Sequence, residues 1–537
     1  MALSRLRRAA VFAGQPLLAG AVMALSLPPF GFWVLAFVAA AVLWWLLGNL
    51  NWSRRLLAGW LFGIGLYGIG LWWVTDFNVY GGLLVIVVES LAPAIASLVT
   101  PRGRGHTVVL AGAMVLMEMA RSSWPLGGLP LGGVALGQAA APLADTARLG
   151  GPGLIVGLVW LGGGGLGAVV VTAVRGALLQ RRSRREPAGW RELTGAAPPS
   201  GVRTLAPVPV SGPLAAGVLA TVVVIGLGIA GRSAPDGGRA VSHVRVAAVQ
   251  GGGQRGLSKA EVPVSTVFDA QVEATVDLLG ASGPKPSLIV WPEDVVALDQ
   301  PLRGSPDAKT VSALARSAGA TLLVGVTEPA GPGRFRNEIV AFSPEGRMAS
   351  VFEKVHRVPF GEYVPWRGLV KHFADLSAVP QDAVPGHGDG VMRTPAGRLG
   401  VMVSYEVFFS SRGQAATGGG ASLLVVPTNT SSYSTAQVPT QEVAADRLQA
   451  LAEGRDLVQS APTGFSDLVD HDGHVLARSD LGRRAQVVGT LARRRGRTIY
   501  ERLGDVPVLI AAALAVAGGW LWLVFSPAQD DRRRRRR

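Results

Sequence analysis

The chain of 537 residues contains no cysteine. Disulfides, thiolate metal sites and thiol catalysis are therefore excluded at the outset. Lysine is nearly as scarce: Lys259, Lys285, Lys309, Lys354 and Lys371 stand alone among 51 basic residues. Arginine supplies the rest, a bias typical of a GC-rich bacterial genome. In such a chain each lysine marks a place where a compact ammonium does what a planar guanidinium does not. Charged residues make up only 16% of the chain against 49% hydrophobic, and mean hydropathy is +0.34. An ordinary soluble protein is more polar than this, so the composition points to a membrane protein, here with a formal net charge of +15.

Apolar runs of about bilayer length lie near 10–28, 30–48, 57–74, 82–99, 107–120, 153–175, 213–231 and 506–525. The fifth is short. The first leads through "SLPPFGFW" into the second with no small-residue cleavage site, so it reads as a retained helix rather than a signal peptide. Basic residues cluster at alternate ends of these runs: Arg5, Arg7 and Arg8 before the first, Arg54 and Arg55 after the second, Arg102 and Arg104 after the fourth, "RRSRRE" at 181–186 after the sixth, and "RRRRRR" closing the chain. The positive-inside rule puts all of them in the cytoplasm. The expected organisation is a transmembrane helical domain over 1–231 with seven spans and a cytoplasmic loop at 176–212, an extracytoplasmic domain at 242–495, and a last transmembrane helix with a basic cytoplasmic tail at 505–537. That describes a multi-pass protein of the bacterial plasma membrane with its large polar domain outside. The terminal arginines read as a stop-transfer cluster near anionic lipid. No aromatic-interleaved basic face suggests nucleic acid.

The outer segment has a different texture. Short β-branched runs such as "VRVAAVQ" (244–250), "SLIVWPE" (287–293), "TLLVGVTEP" (321–329), "RLGVMVSYE" (398–406), "SLLVVPTN" (422–429) and "LVQSAPTG" (457–464) alternate with helical stretches near 261–280, 306–318 and 437–454. Several are apolar on both faces, which predicts an α/β layered fold covered on both sides. Pro-Glu-Gly at 344–346 and Asp-Gly at 472–473 predict hairpins. "GGGQRG" at 251–256 lacks the ending of a phosphate loop and reads as a turn. "GGGG" at 162–165 lies in a span and reads as a close-packing site. Glu89, Glu118 and Arg121 are costly near a membrane unless paired or close to an interface; either they line a path for a lipid headgroup, or Glu118 and Arg121 at i,i+3 simply neutralise each other.

Glu293 after "LIVW", Lys354 in "FEKVHRVPFGEYVP" and Ser404 after "RLGVMV" are the parts that covalent acyl transfer needs: a base, an oxyanion-stabilising cation and a nucleophile. Each alone is commonplace at a surface or a strand end. Their order and context resemble the nitrilase or carbon–nitrogen hydrolase superfamily, which uses a Glu-Lys-Cys triad on an αββα sandwich. With apolar spans on both sides, "WPE", "KxHxVPFGEYVP" and "SYE" look like the apolipoprotein N-acyltransferase family. The resemblance implies a membrane α-helical bundle of about eight transmembrane helices plus an extracytoplasmic nitrilase-like domain. It implies Glu293 as general base, Lys354 at the oxyanion, Ser404 at the nucleophile position, and Glu362, Tyr405, Glu406, Arg455 and, more loosely, Asn337 as supporting residues. It implies no cofactor and no metal. The implied substrates are a phospholipid acyl donor and a diacylglyceryl lipoprotein acceptor, and actinobacterial relatives suggest a polyprenyl-phosphate mannose synthase as partner.

Serine departs from the family's cysteine. A thiol ionises near pH 8.5, whereas an alkoxide is far harder to reach and a carboxylate is a poor base for it. Three readings stay open for Ser404: a working oxygen nucleophile, an inactive position in a lipid- or partner-binding descendant, or a replacement that traps a complex. The intact remainder of the motif set favours retained acyl transfer over a scaffold or a membrane-anchored amidase. His356, two residues from Lys354, is the one histidine placed to assist a serine. His471 and His474 flank a hairpin turn, and no third ligand follows with the spacing of a known metal site. Tyr433 in "VPTNTSSY" stands where relatives carry a different aromatic segment.

Overall fold

The computed structural model of the chain describes residues 2–185, 211–253, 263–372, 375–377, 379–431, 433 and 435–525. Most of the 176–212 loop, part of "GGGQRG" and the arginine tail lie outside these. The first half is helical: α1 (Ala2–Ala24), α2 (Val34–Asn49), α3 (Trp52–Gly70), α4 (Val79–Glu89), α5 (Leu91–Val99), α6 (His106–Arg121), α7 (Ala147–Arg185) and α8 (Ser211–Arg232). Expected span four is two helices. Pro93 has no N–H to give and its ring clashes with the carbonyl four residues back, so the helix breaks at Ser90. The sixth is kinked at Gly150 and Gly151 ahead of Pro152, then continues to Arg185, ten residues into the expected loop. Four stretches among the described residues are long and apolar enough to cross a membrane: Val79–Val99, Ala144–Leu178, Leu214–Arg232 and Val506–Phe525. Ala10–Ala24 and Val34–Asn49 are shorter apolar helices.

The "GGGG" run packs as expected. A Cβ on Gly163 would lie 2.5 Å from that of Ala40 on α2, one on Gly164 2.8 Å from Thr107 on α6, and one on Gly165 2.9 Å from Ala220 on α8. Small residues here let three helices approach α7 at backbone distance.

The second half runs β1 (Ser242–Gln250), α9 (Val264–Gly280), β2 (Leu288–Val290), β3 (Val296–Ala297), α10 (Pro306–Ala318), β4 (Thr321–Pro329), β5 (Arg334–Phe342), β6 (Met348–Glu353), α11 (Arg367–Val370), β7 (Asp382–Ala383), β8 (Val391–Thr394), β9 (Gly397–Val401), α12 (Ser410–Gly418), β10 (Leu423–Pro427), α13 (Gln437–Glu453), β11 (Leu457–Ser460), β12 (Asp467–Val469), β13 (Val475–Arg478), β14 (Ala485–Arg493) and α14 (Ile499–Leu503), before the last apolar helix, α15 (Val506–Phe525). One sheet of eight strands has the order β14-β1-β2-β4-β5-β6, with β3 on β4 and β7 on β5. The other, of six, has the order β13-β12-β11-β10-β9-β8. The strands flanked by helices, β1-β2-β4 and β9-β10-β11, pair in parallel, and both expected hairpins pair antiparallel.

Val246, Val290, Leu323 and Ile339 of one sheet meet Leu399, Val401, Val425 and Val458 of the other in a dry layer. Helices α9 and α10 cover the first sheet around Trp291 and Phe342. Helix α13 covers the second, and its residues join one continuous apolar core with those of the helical half. Its Gln441, Glu442, Asp446, Gln449 and Glu453 are buried too, and half-buried Gln437 and buried Gln441 donate to the carbonyls of Ile69 and Gly70 at the end of α3, at 2.6 and 3.1 Å. The α/β part is thus an αββα layered sandwich whose outer helix is shared with the helical bundle.

Candidate active site

Parallel strands in layered α/β folds present their C-terminal ends to one side. Here the loops after β2, β6, β9 and β10 meet there. The N–H of Glu293 donates to the carbonyl of Thr428, just past β10, at 3.3 Å, which ties the two sheets together at this end. Lys354 follows β6, and its N–H donates to the carbonyl of Asn337 on β5 at 2.9 Å.

These backbone ties aim four side chains at one point. The ammonium of Lys354 donates to Oε1 of Glu293 at 2.8 Å and to Oε1 of Glu362 at 3.0 Å. The amide of Asn337 donates to the same two oxygens, both at 2.7 Å. The other oxygen of Glu362 accepts from the N–H of Val358 at 2.7 Å, which fixes the "VPFGEY" loop on its own backbone. Glu293, Asn337 and Lys354 are buried. Burial raises the Glu293 carboxyl, Lys354 pulls it back, and the like charge of Glu362 adds to the rise, leaving it above the usual range. For Lys354 burial opposes charge, but the two carboxylates outweigh it and hold the ammonium firmly protonated. One fixed cation therefore stands between two acids, one of them a stronger base than an ordinary glutamate.

Ser404 does not end a strand as expected. Strand β9 stops at Val401, and Ser404–Phe408 form one 3₁₀ turn. Ser404 begins that turn with φ +50°, in the left-handed region where a non-glycine residue is strained by about 1–3 kcal/mol. Glu406 holds the turn in place. Its carboxylate accepts from the N–H groups of Val403, Val355 and His356 at 2.8, 3.0 and 3.1 Å, and the guanidinium of Arg412 lies 3.4 Å away. Burial resists ionisation of Glu406, yet the contacts from His356, Arg412 and the backbone outweigh it and hold the carboxyl below the usual range. Because Val355 adjoins Lys354, Glu406 fastens the serine turn to the lysine segment.

Tyr405 reaches the helical half. Its hydroxyl donates to the carbonyl of Gly128 at 2.6 Å, and that of Tyr363 to Leu126 at 3.2 Å. The 122–133 loop carrying both acceptors is held by Arg121. This residue pairs with Glu118 at 3.0 Å and Glu89 at 3.1 Å, and donates to the carbonyls of Leu129 and Leu131. One guanidinium is thus shared by two carboxylates, so each acid has a partner although the trio keeps one formal negative charge. Tyr433 packs edge-on against Trp73 and Phe77, with ring centroids at 5.2 and 5.5 Å. The sequence offered no signal for the loop's part, since its partners lie some 240 to 280 residues away.

Arg455 is not part of this cluster. It is buried at the opposite end of β10, where its guanidinium donates to the carbonyls of Ala421, Glu453, Gly454 and Gly496. Five residues of strand at about 3.3 Å each separate that end from Thr428. His356 stacks on Phe409 at 4.4 Å and faces Glu406; among the described residues no hydrogen bond joins it to Ser404. Around the hairpin the fold gathers Asp236, His471 and Asp472, and Asp470, Asp472 and His474, but Arg148 already bonds Asp472, which both groups share.

Two family models match. That of the apolipoprotein N-acyltransferase N-terminal domain covers residues 19–165, and that of carbon-nitrogen hydrolases covers 245–499. Together the two matches take in most of the chain, whose two parts are thus similar to those of apolipoprotein N-acyltransferases. Relatives so named include one from Allorhizobium ampelinum, 28% identical over 85% of both chains, and one from Mycolicibacterium smegmatis, 28% identical over 93% of this chain and 82% of its own. A carbon-nitrogen hydrolase of Helicobacter pylori G27, 17% identical, aligns with 55% of this chain and 99% of its own at a TM-score of 0.36.

Proposed function

We propose that the protein is an apolipoprotein N-acyltransferase, moving an acyl chain from a phospholipid to the α-amino group of a diacylglyceryl-cysteine. The carrying observation is the cluster in which Lys354 lies 2.8 and 3.0 Å from two carboxylates beside the strained turn of Ser404. In this reading the Ser404 hydroxyl attacks the phospholipid ester as Glu293 takes its proton. The Lys354 ammonium stabilises the oxyanion, and the lysophospholipid leaves with the proton from Glu293. The lipoprotein amine then attacks the acyl-serine, Glu293 accepts the amine proton and returns it to the serine oxygen, and the amide is released. Asn337 and Glu362 keep Lys354 and Glu293 in register. The raised Glu293 carboxyl supports this reading, because a harder nucleophile needs a stronger base.

The helices before β1 and after β14 support a multi-pass arrangement with eight crossings, both termini and the 176–212 loop cytoplasmic, and the 242–495 domain outside. The arginine clusters at alternate ends carry that orientation. The relatives matched are named as acyltransferases alone, and the mannose synthase partner is not carried forward. The serine favours one rival, a scaffold that binds lipid without turnover.

The test is the mass of a purified diacylglyceryl lipoprotein before and after incubation with the protein and phospholipid, together with a peptide search for an acyl adduct on residue 404. N-acyl gain and a serine ester support acyl transfer. Neither, with an adduct appearing only in Ser404→Cys, selects the scaffold. Fatty acid released to water without gain selects a hydrolase. Ser404→Ala abolishes any adduct.

A further inference from the structure

A cavity of about 660 Å³ lies at the end of the second sheet away from Glu293. Arg393, Arg398, Arg455, Arg493, Arg495 and Arg497 line it, and Glu501 is the single carboxylate among its lining residues. Arg455 and Arg497 share that carboxylate at 3.6 and 3.4 Å. Among the described residues, none of Arg393, Arg398, Arg493 and Arg495 has a carboxylate within 4.0 Å. Arg393 and Arg398 are direct cross-strand partners in the β8–β9 hairpin, a placement in which like charges repel. Arg493 gives one N–H to the carbonyl of Ala396, while its Nε is buried without a partner.

Such an arrangement destabilises the empty protein and is relieved by an anion. Guanidinium forks match phosphate oxygens in geometry as well as charge, and six of them against one carboxylate leave a surplus suited to more than a single negative charge. The place in the fold is equally specific. Val241 on the wall lies nine residues after α8 ends at Arg232, and Arg497 nine residues before α15 begins at Val506. The cavity therefore opens where the chain leaves and re-enters the two apolar helices.

We propose that this arginine cavity binds a phosphate-bearing anion, either the headgroup of a phospholipid at the membrane surface or a soluble phosphate compound. It is separate from the acyl-transfer site and independent of that reading, since none of its residues touches Glu293, Lys354 or Ser404.

The test measures dissociation constants of the full chain in detergent for three probes: inorganic phosphate, glycerol 3-phosphate and dihexanoylphosphatidylglycerol. The variant is the pair Arg398→Gln and Arg495→Gln. Both side chains are exposed, so the fold should be kept, and the pair Arg398→Lys and Arg495→Lys retains the charge as a second check. Binding of the soluble probes, weakened about tenfold or more in the glutamine pair and less in the lysine pair, supports a soluble phosphate ligand. Binding confined to the short-chain lipid, weakened in the same way, supports the headgroup. Affinity should also fall with added salt. No binding of any probe, or binding that the glutamine pair leaves unchanged, overturns the proposal. The readout involves no acyl transfer, so its failure and that of the catalytic reading are told apart.

Discussion

Lys354 sits at hydrogen-bond distance from two carboxylates, and a lysine in a chain that otherwise uses arginine is there for its size. Lys354→Arg keeps the charge but puts a planar fork where a point charge fits between Glu293, Glu362 and Asn337. It should lower acyl-enzyme formation by at least about 100-fold, the usual loss when an oxyanion donor is removed; a single-turnover assay near the normal rate would remove Lys354 from the mechanism. A second prediction follows from Glu293, whose carboxyl is raised by burial and by Glu362 despite the pull of Lys354. A base works only when ionised, so the rate should rise with pH through a limb lying above the ordinary glutamate value of about 4.3. Glu362→Gln removes the like charge and should move that limb to lower pH. A limb that stays in place would mean that another group titrates. Glu406 has the opposite sign. Its carboxyl is depressed, so its stabilisation is fully present above the ordinary carboxylate range and is lost as pH falls through its lower folded value. Glu406→Gln should cost about 1–3 kcal/mol at neutral pH by leaving a buried backbone N–H without its acceptor, read as a lower melting temperature.

At the scale of elements, the 122–133 loop couples the two halves of the molecule. Arg121 anchors the loop from the helical side through Glu89 and Glu118, and the loop offers the carbonyl of Gly128 to Tyr405, next to the serine. Breaking a buried ion pair by removing one partner typically costs about 3–5 kcal/mol, because the other charge is left alone. Arg121→Met should therefore lower thermal stability sharply, and the triple change with Glu89→Gln and Glu118→Gln should recover part of the loss. Equal melting of the single and triple variants would show that the charges are not coupled. Tyr405→Phe tests the other end. It removes one hydrogen bond, worth about 1 kcal/mol, and should loosen the serine turn more than it affects the bundle.

For the whole molecule the decisive question is which side of the membrane holds the domain. A protease added outside sealed cells should cut within 242–495 and spare both termini; cleavage only after lysis would reverse the orientation.

The sequence by itself determined the composition class, the apolar runs, the parallel-strand texture of the second half and the order Glu293, Lys354, Ser404. These are local: hydrophobic length and periodicity depend on neighbours in the chain, and the motif residues lie beside the strands that carry them. Asn337, only a loose match in sequence, became a full member of the cluster because β5 pairs beside the strand leading to Lys354. Other features were decided by tertiary structure alone. Ser404 left the strand for a strained turn because the buried Glu406 gathers the N–H of Val403 from its own turn and those of Val355 and His356 from a distant segment. Strand β14 went unforeseen because its place at the sheet edge, antiparallel to β1, comes from a partner more than 200 residues earlier. Arg455 parted from the active site for the same kind of reason. It precedes β11, and in a parallel sheet the start of one strand lies a full strand length from the end of its neighbour, so the arginine joined a charged cavity where residues distant in sequence meet.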